Sequence, residues 1–89
     1  MAKFMTDYQI LFSKTAQKDI ELLAVAQKAK LQTILQQILA HNPYLGKSLK
    51  GNLEGLYSYR LNRKDRIVYE IIEADKVVFI IRARTHYGD

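Results

Sequence analysis

Eighty-nine residues, 48% hydrophobic and 26% charged, fit one soluble globular domain over 1–89 and leave no room for a second. The lack of cysteine removes disulfides and thiolate metal sites, and no apolar run nears the ~20 residues of a membrane span. A net charge of +5 and a pI near 9.6 favour a polyanionic partner such as nucleic acid or an acidic protein segment, although small basic domains also occur without one.

Residues 1–7 read as a lead-in without the long apolar segment of a signal peptide, so a cytoplasmic protein is expected. Tyr8–Phe12 alternates apolar side chains and reads as a strand. Ser13 or Thr15 offers a side-chain oxygen to cap a helix, and no Gly or Pro interrupts the chain from there to His41. Ile20, Leu23, Leu31, Ile34, Leu35, Ile38 and Leu39 fall along one helical stripe. One unbroken helix would run roughly 40 Å, too long for a domain with a radius of gyration of ~12 Å. A helical hairpin is therefore expected, with its break at Val25–Lys28, where polar Gln27 interrupts the stripe.

His41-Asn42-Pro43 ends the helices, because the residue before proline is pushed out of the helical region. The glycine-bearing stretch Tyr44–Leu56 reads as a loop. Three strands follow, Tyr57–Asn62, Arg66–Glu73 and Val77–Thr85, with connections short enough for antiparallel hairpins. The expected fold is α+β: an N-terminal strand, a helical hairpin, then a three-stranded antiparallel meander, the helices packed on one face of a four-stranded sheet.

Alternation along a strand assigns side chains to faces. Tyr57, Tyr59 and Leu61, then Ile67, Tyr69 and Ile71, then Val77, Phe79, Ile81 and Ala83 make one nearly apolar face for the helices. The other face then receives Ser58, Arg60, Arg66, Val68, Glu70, Val78, Ile80, Arg82, Arg84 and His86. A three-residue connection over 62–64 sets Arg60 across from Arg66, and an odd-length turn near Asp75 would bring Arg84 opposite Arg66, near His86. Like charges opposed on a sheet repel unless an anion sits between them, so this crowding points to a phosphate site. The same arginines read alternatively as solvated residues paired with Glu70, Glu73 or Asp75. His86 is the side chain best suited to trade a proton near neutral pH. Tyr87 either pins the chain end or stacks on a base. No P-loop, zinc spacing or paired-carboxylate arrangement occurs, and no metal or cofactor is expected.

Leu49-Lys50-Gly51-Asn52-Leu53-Glu54-Gly55-Leu56-Tyr57-Ser58-Tyr59-Arg60, then Asp65-Arg66-Ile67-Val68-Tyr69, then Arg84-Thr85-His86-Tyr87, resembles the YoeB/Txe branch of RelE-type toxins, and the order of elements is similar as well. The resemblance implies a bacterial type II toxin that enters the ribosomal A site and cleaves mRNA without metal, by attack of the 2′-hydroxyl on the adjacent phosphate. It implies that Arg66 stabilises the transition-state phosphate and His86 acts as general acid or base. Lys50 and Arg60, with Arg84 and Lys47, would hold the RNA backbone, and Tyr87 would position a base. The implied partners are a cognate antitoxin, the ribosome and mRNA, with no membrane; a homodimer or a toxin–antitoxin hetero-oligomer is the implied assembly. Such relatives often carry a glutamate, proposed as general base, where this chain has Lys47. The base is then a lysine of lowered pKa, or His86 working with a ribosomal or solvent group, or activity is reduced. The other readings are a ParE-like toxin acting on DNA gyrase and a non-catalytic RNA-binding module.

Overall fold

Ser13 begins the helical part of the chain, its hydroxyl oxygen accepting the Ala16 N–H at 2.9 Å and so satisfying a donor the first helical turn leaves open. The computed structural model describes residues 7–85; most of the expected lead-in and the chain end from His86 onward lie outside them. In chain order the elements are β1 (Gln9–Phe12), α1 (Lys14–Glu21), α2 (Val25–Thr33), β2 (Lys47–Ser48), β3 (Leu56–Arg60), β4 (Arg66–Ile72) and β5 (Val77–Thr85). α2 runs on through Ile34–Leu39 as a π-helix, the Ala40 N–H donating to the Leu35 carbonyl at 2.8 Å.

The α+β arrangement of a helical hairpin on one face of a sheet is as expected, with two differences of detail. The sheet has five strands rather than four, in the order β1-β5-β4-β3-β2, because Lys47 and Ser48 leave the expected loop to pair with β3. The helical break falls at Leu22–Ala24 rather than Val25–Lys28, and Leu22 and Leu23 donate to the carbonyls of Asp19 and Ile20 as the helix tightens. Gln27 is polar for another reason: its Oε1 accepts from Asn62 Nδ2 at 2.7 Å, tying α2 to the β3–β4 connection.

All seven stripe residues pack into the core. Leu23, Leu31, Ile34, Leu35 and Leu39 are buried, and Ile20 and Ile38 are partly so. They meet Leu61, Ile67, Tyr69, Val78, Ile80 and Ala83 from the sheet, with Tyr57 and Tyr59 against its rim. β5 departs from the expected parity. Its pairing runs Ile72↔Val77, Ile71↔Val78, Glu70↔Phe79 and Tyr69↔Ile80, so Val78 and Ile80, not Val77, Phe79 and Ile81, share the helix-covered face with Tyr69 and Ile71. The turn before it, residues 73–76, has an even number of residues where an odd one was expected. The register then shifts twice, and Ala83 returns to the core as expected.

Candidate active site

β3 and β4 pair antiparallel through Tyr57↔Tyr69, Ser58↔Val68, Tyr59↔Ile67 and Arg60↔Arg66. Leu61 donates to the Asp65 carbonyl at 3.0 Å, so 62–64 form the three-residue connection and the two arginines oppose one another as expected. Directly opposed Cα atoms in such a pair lie about 4.5–5.5 Å apart, so the two side chains leave the sheet side by side on one face. Ile67 and Tyr69 pack under the helices, so the intervening residues Arg66 and Val68 project to the opposite face. Arg66 is half-buried and Arg60 is exposed.

Lys47 pairs with Ser58 and therefore stands on the same face as Arg60 and Arg66, one strand further out. Lys47, Ser48, Leu49 and Lys50 line a surface cavity of ≈ 430 Å³, so the two lysines border one opening. Gly51 takes a φ of 67°, which L side chains rarely adopt, and lets the chain turn directly after Lys50. The structure thus sets Arg60, Arg66 and Lys47 on one sheet face, whereas Lys50 follows Leu49, whose N–H donates to the Leu56 carbonyl at the other end of β3.

Thr85, not Arg84, is the residue opposite Arg66, so the expected Arg66–Arg84 pair is replaced by an offset of one position. Two register shifts, between Tyr69↔Ile80 and Val68↔Arg82 and between Val68↔Arg82 and Arg66↔Thr85, produce that offset. Arg84 is exposed. His86 and Tyr87 lie outside the described residues. Arg82, expected among the cations of the open face, turns its guanidinium to Asp19 of α1: Nε donates to Oδ2 at 2.8 Å and a terminal nitrogen to Oδ1 at 3.3 Å. Burial works to raise the Asp19 carboxyl, but the hydrogen bonds from Arg82 and the Ala83 N–H, with the guanidinium charge, outweigh it and hold the group below its ordinary range.

Among the described residues no group of three or more His, Cys, Asp or Glu side chains could hold a metal ion, and no helix is long and apolar enough to cross a membrane. Arg60, Arg66 and Lys47 thus project from the sheet face away from the helices, around the buried Ser58 and Val68, and their charges suit a phosphodiester. A family model described as a ParE-like toxin of type II bacterial toxin–antitoxin systems matches residues 10–88.

This chain belongs to the ParE-like toxin family. Toxin YoeB from Synechocystis sp. (strain ATCC 27184 / PCC 6803 / Kazusa) is 40% identical over 58 residues, covering 61% of this chain and 65% of that relative, just under two thirds of its length. A chain of the RelBE2 toxin–antitoxin complex from Mycobacterium tuberculosis superposes with a TM-score of 0.82 at 29% identity, covering 96% of this chain and 97% of that one. The YoeB dimer from Staphylococcus aureus superposes with a TM-score of 0.76, also at 29% identity, covering 91% and 99%. These relatives put this ParE-like toxin in the YoeB-like branch of the RelE/ParE superfamily.

Reading the sequence missed Asp19. It stands between Ala16 and Leu23 on the buried side of α1, and a carboxylate at a stripe position is the signal that could have found it.

Proposed function

We propose that this ParE-like toxin is a ribosome-dependent endoribonuclease that cuts mRNA in the A site and is held inactive by a cognate antitoxin. The observation that carries the reading is the direct opposition of Arg60 and Arg66 on the sheet face away from the helices. Two guanidinium groups so placed repel unless an anion sits between them, and a phosphodiester bridging them relieves the repulsion.

In the reaction the ribose 2′-oxygen attacks the neighbouring phosphorus, its proton passes to a base, and the bond from phosphorus to the 5′-oxygen breaks. The products are a cyclic phosphate and a free 5′-hydroxyl. Arg66 stabilises the charge growing on the phosphate oxygens, and His86 delivers the proton that the departing 5′-oxygen needs. Arg60, Lys47, Lys50 and Arg84 hold the flanking phosphates, and Tyr87 supplies a ring on which a base stacks. Where the resemblance implies a glutamate for the 2′ proton this chain has Lys47, which as a phosphate-holding cation accepts no proton, so the 2′ proton passes to a ribosomal or solvent group. An antitoxin partner is supported by the solved neighbours, several of which are toxin–antitoxin complexes, and the +5 charge suits an acidic inhibitory segment.

The test is incubation with programmed ribosomes and mapping of mRNA 5′ ends. The wild type gives codon-phased cuts. Arg66→Ala lowers the cutting rate about 10²–10³-fold, and His86→Ala lowers it about 10²–10⁴-fold. Unchanged cutting by His86→Ala removes its proton-transfer role. DNA breaks with intact mRNA replace this reading with gyrase inhibition, and RNA binding without cuts replaces it with a binding module.

A further inference from the structure

β5 outruns its neighbour. β1 accompanies it only from Gln9↔Val77 to Phe12↔Ile80, whereas β5 continues to Thr85. Beyond Ile80 the flank that β1 covered belongs to α1, and α1 completes the hydrogen bonding there. The Ser13 N–H donates to the Ile80 carbonyl at 2.9 Å, and the Ser13 hydroxyl donates to the Ile81 carbonyl at 2.8 Å. The Asp19 carboxylate accepts the Ala83 N–H at 3.1 Å, besides its two bonds from Arg82. Asp19 is only 7% exposed, so its charge is balanced almost wholly by protein groups.

The clamped stretch is where the register changes. Val78 and Ile80 face the core, and strict alternation would send Arg82 and Arg84 after them, beneath the helices. The first shift sets Arg82 opposite Val68, and the second sets Thr85 opposite Arg66. Such shifts leave backbone groups out of step with the ladder, and they persist where something outside the strand pair holds them. Asp19 binds both residues that lie between Ile80 and Arg84 on the far side of the first shift.

We propose that Asp19 is a positioning residue: its carboxylate locks the twice-shifted end of β5 through Arg82 and the Ala83 amide, and so fixes the Arg66↔Thr85 register and with it the place of Arg84. The catalytic consequence rests on the endoribonuclease reading above; the register does not. Asp19 touches no RNA and acts through the backbone that carries the cations. Removing it takes the carboxylate from the Arg82 guanidinium and leaves the buried Ala83 N–H without this acceptor, and the strand end slides toward plain alternation.

The experiment compares full-length wild type, Asp19→Asn and Asp19→Ala. Asp19→Asn keeps the shape and one acceptor while losing the charge, and so serves as the folded control for Asp19→Ala. The register is read by NMR, from cross-strand contacts between residues 66 and 85 and hydrogen-exchange protection of the Ala83 amide. Cutting on programmed ribosomes is read as separate kcat and KM values, counted on the folded fraction. The expected result is loss of the 66–85 contact and of Ala83 protection, with the β3–β4 contacts kept. It is accompanied by a fall in kcat of about 10–100-fold, the effect of a misplacement near 1 Å, and a KM within about two-fold of wild type. An unchanged 66–85 contact in both variants overturns the proposal, as does wild-type kcat in variants whose register has moved. A wild type that cuts no RNA defeats the nuclease reading instead, and the NMR comparison still decides whether Asp19 holds the register.

Discussion

A Cβ built on Gly46 would collide with the Tyr69 hydroxyl and stand 2.9 Å from the Ser58 carbonyl oxygen. The hydroxyl cannot swing away without loss, because it donates to the Pro43 carbonyl at 2.7 Å inside the core, where burial pushes the phenol well above its ordinary pKa. Glycine is therefore required by close approach, and that approach seats Lys47 beside Ser58 on the candidate site face. Gly46→Ala is expected to destabilise the protein by about 1–3 kcal/mol, the usual cost of forcing extra volume into a packed interior. Urea unfolding measures it, and a midpoint equal to wild type would mean that the Tyr69 ring moves freely. The sequence marked this stretch as a glycine loop, but a glycine needed for its missing side chain looks the same in sequence as one needed for its backbone.

Glu73 gathers three groups at the β4–β5 turn. The Tyr8 and Tyr44 hydroxyls each donate to Oε1 at 2.7 Å, and Lys76 Nζ lies 3.0 Å from Oε2. The turn is thereby tied to the residue before β1 and to the segment after the helices, at the opposite end of β4 from Arg66. Hydrogen bonds from Tyr44, then Tyr8, then Lys76 depress the Glu73 carboxyl from 4.5 to about 2. A depressed carboxylate adds stability that is present above its unfolded value and is lost as pH falls through the folded one. The stability difference between wild type and Glu73→Gln is thus expected to be full at pH 7 and to shrink between 4.5 and about 2. Urea midpoints across that range check it, and a difference independent of pH would sink it. RNA cutting by Glu73→Gln is expected to match wild type.

The strands differ in how far sequence alone reveals them. Over residues 57–60 of β3 and 66–71 of β4, apolar residues alternate with Ser58, Arg60, Arg66 and Glu70, Val68 being the one exception, so their register and the Arg60–Arg66 opposition are legible from residue types. β5 begins Val77-Val78-Phe79-Ile80-Ile81, an apolar run in a strand flanked by β1 and β4, and such a run carries no parity. The helical break was misplaced for a related reason. Gln27 is polar to meet Asn62, a partner 35 residues away that no local pattern announces.

Across the molecule as a whole, the +5 charge and the five described cations of the proposed site, Lys47, Lys50, Arg60, Arg66 and Arg84, make phosphate contact the dominant expected source of RNA affinity. Counterions released on binding tie affinity to salt, so a plot of log affinity against log salt is expected to fall linearly. Lys50→Ala is expected to make that slope shallower by about 0.7, the value for one contact to a single strand. Filter binding to single-stranded RNA measures both, and a slope unchanged by Lys50→Ala would take that lysine out of the interface. Apolar spacing along the chain was enough to set the α+β class, the helical stripe and the face that holds Arg60 and Arg66, because each depends on neighbours a few residues apart, whereas the choice of Ser13 over Thr15 as the cap came from the structure. The fifth strand, the place where the helices part and the two shifts in β5 were decided by contacts between distant segments. Ser13 and Asp19 reach β5 across more than sixty residues of chain, and their hydrogen bonds, not local alternation, choose which way its last residues point.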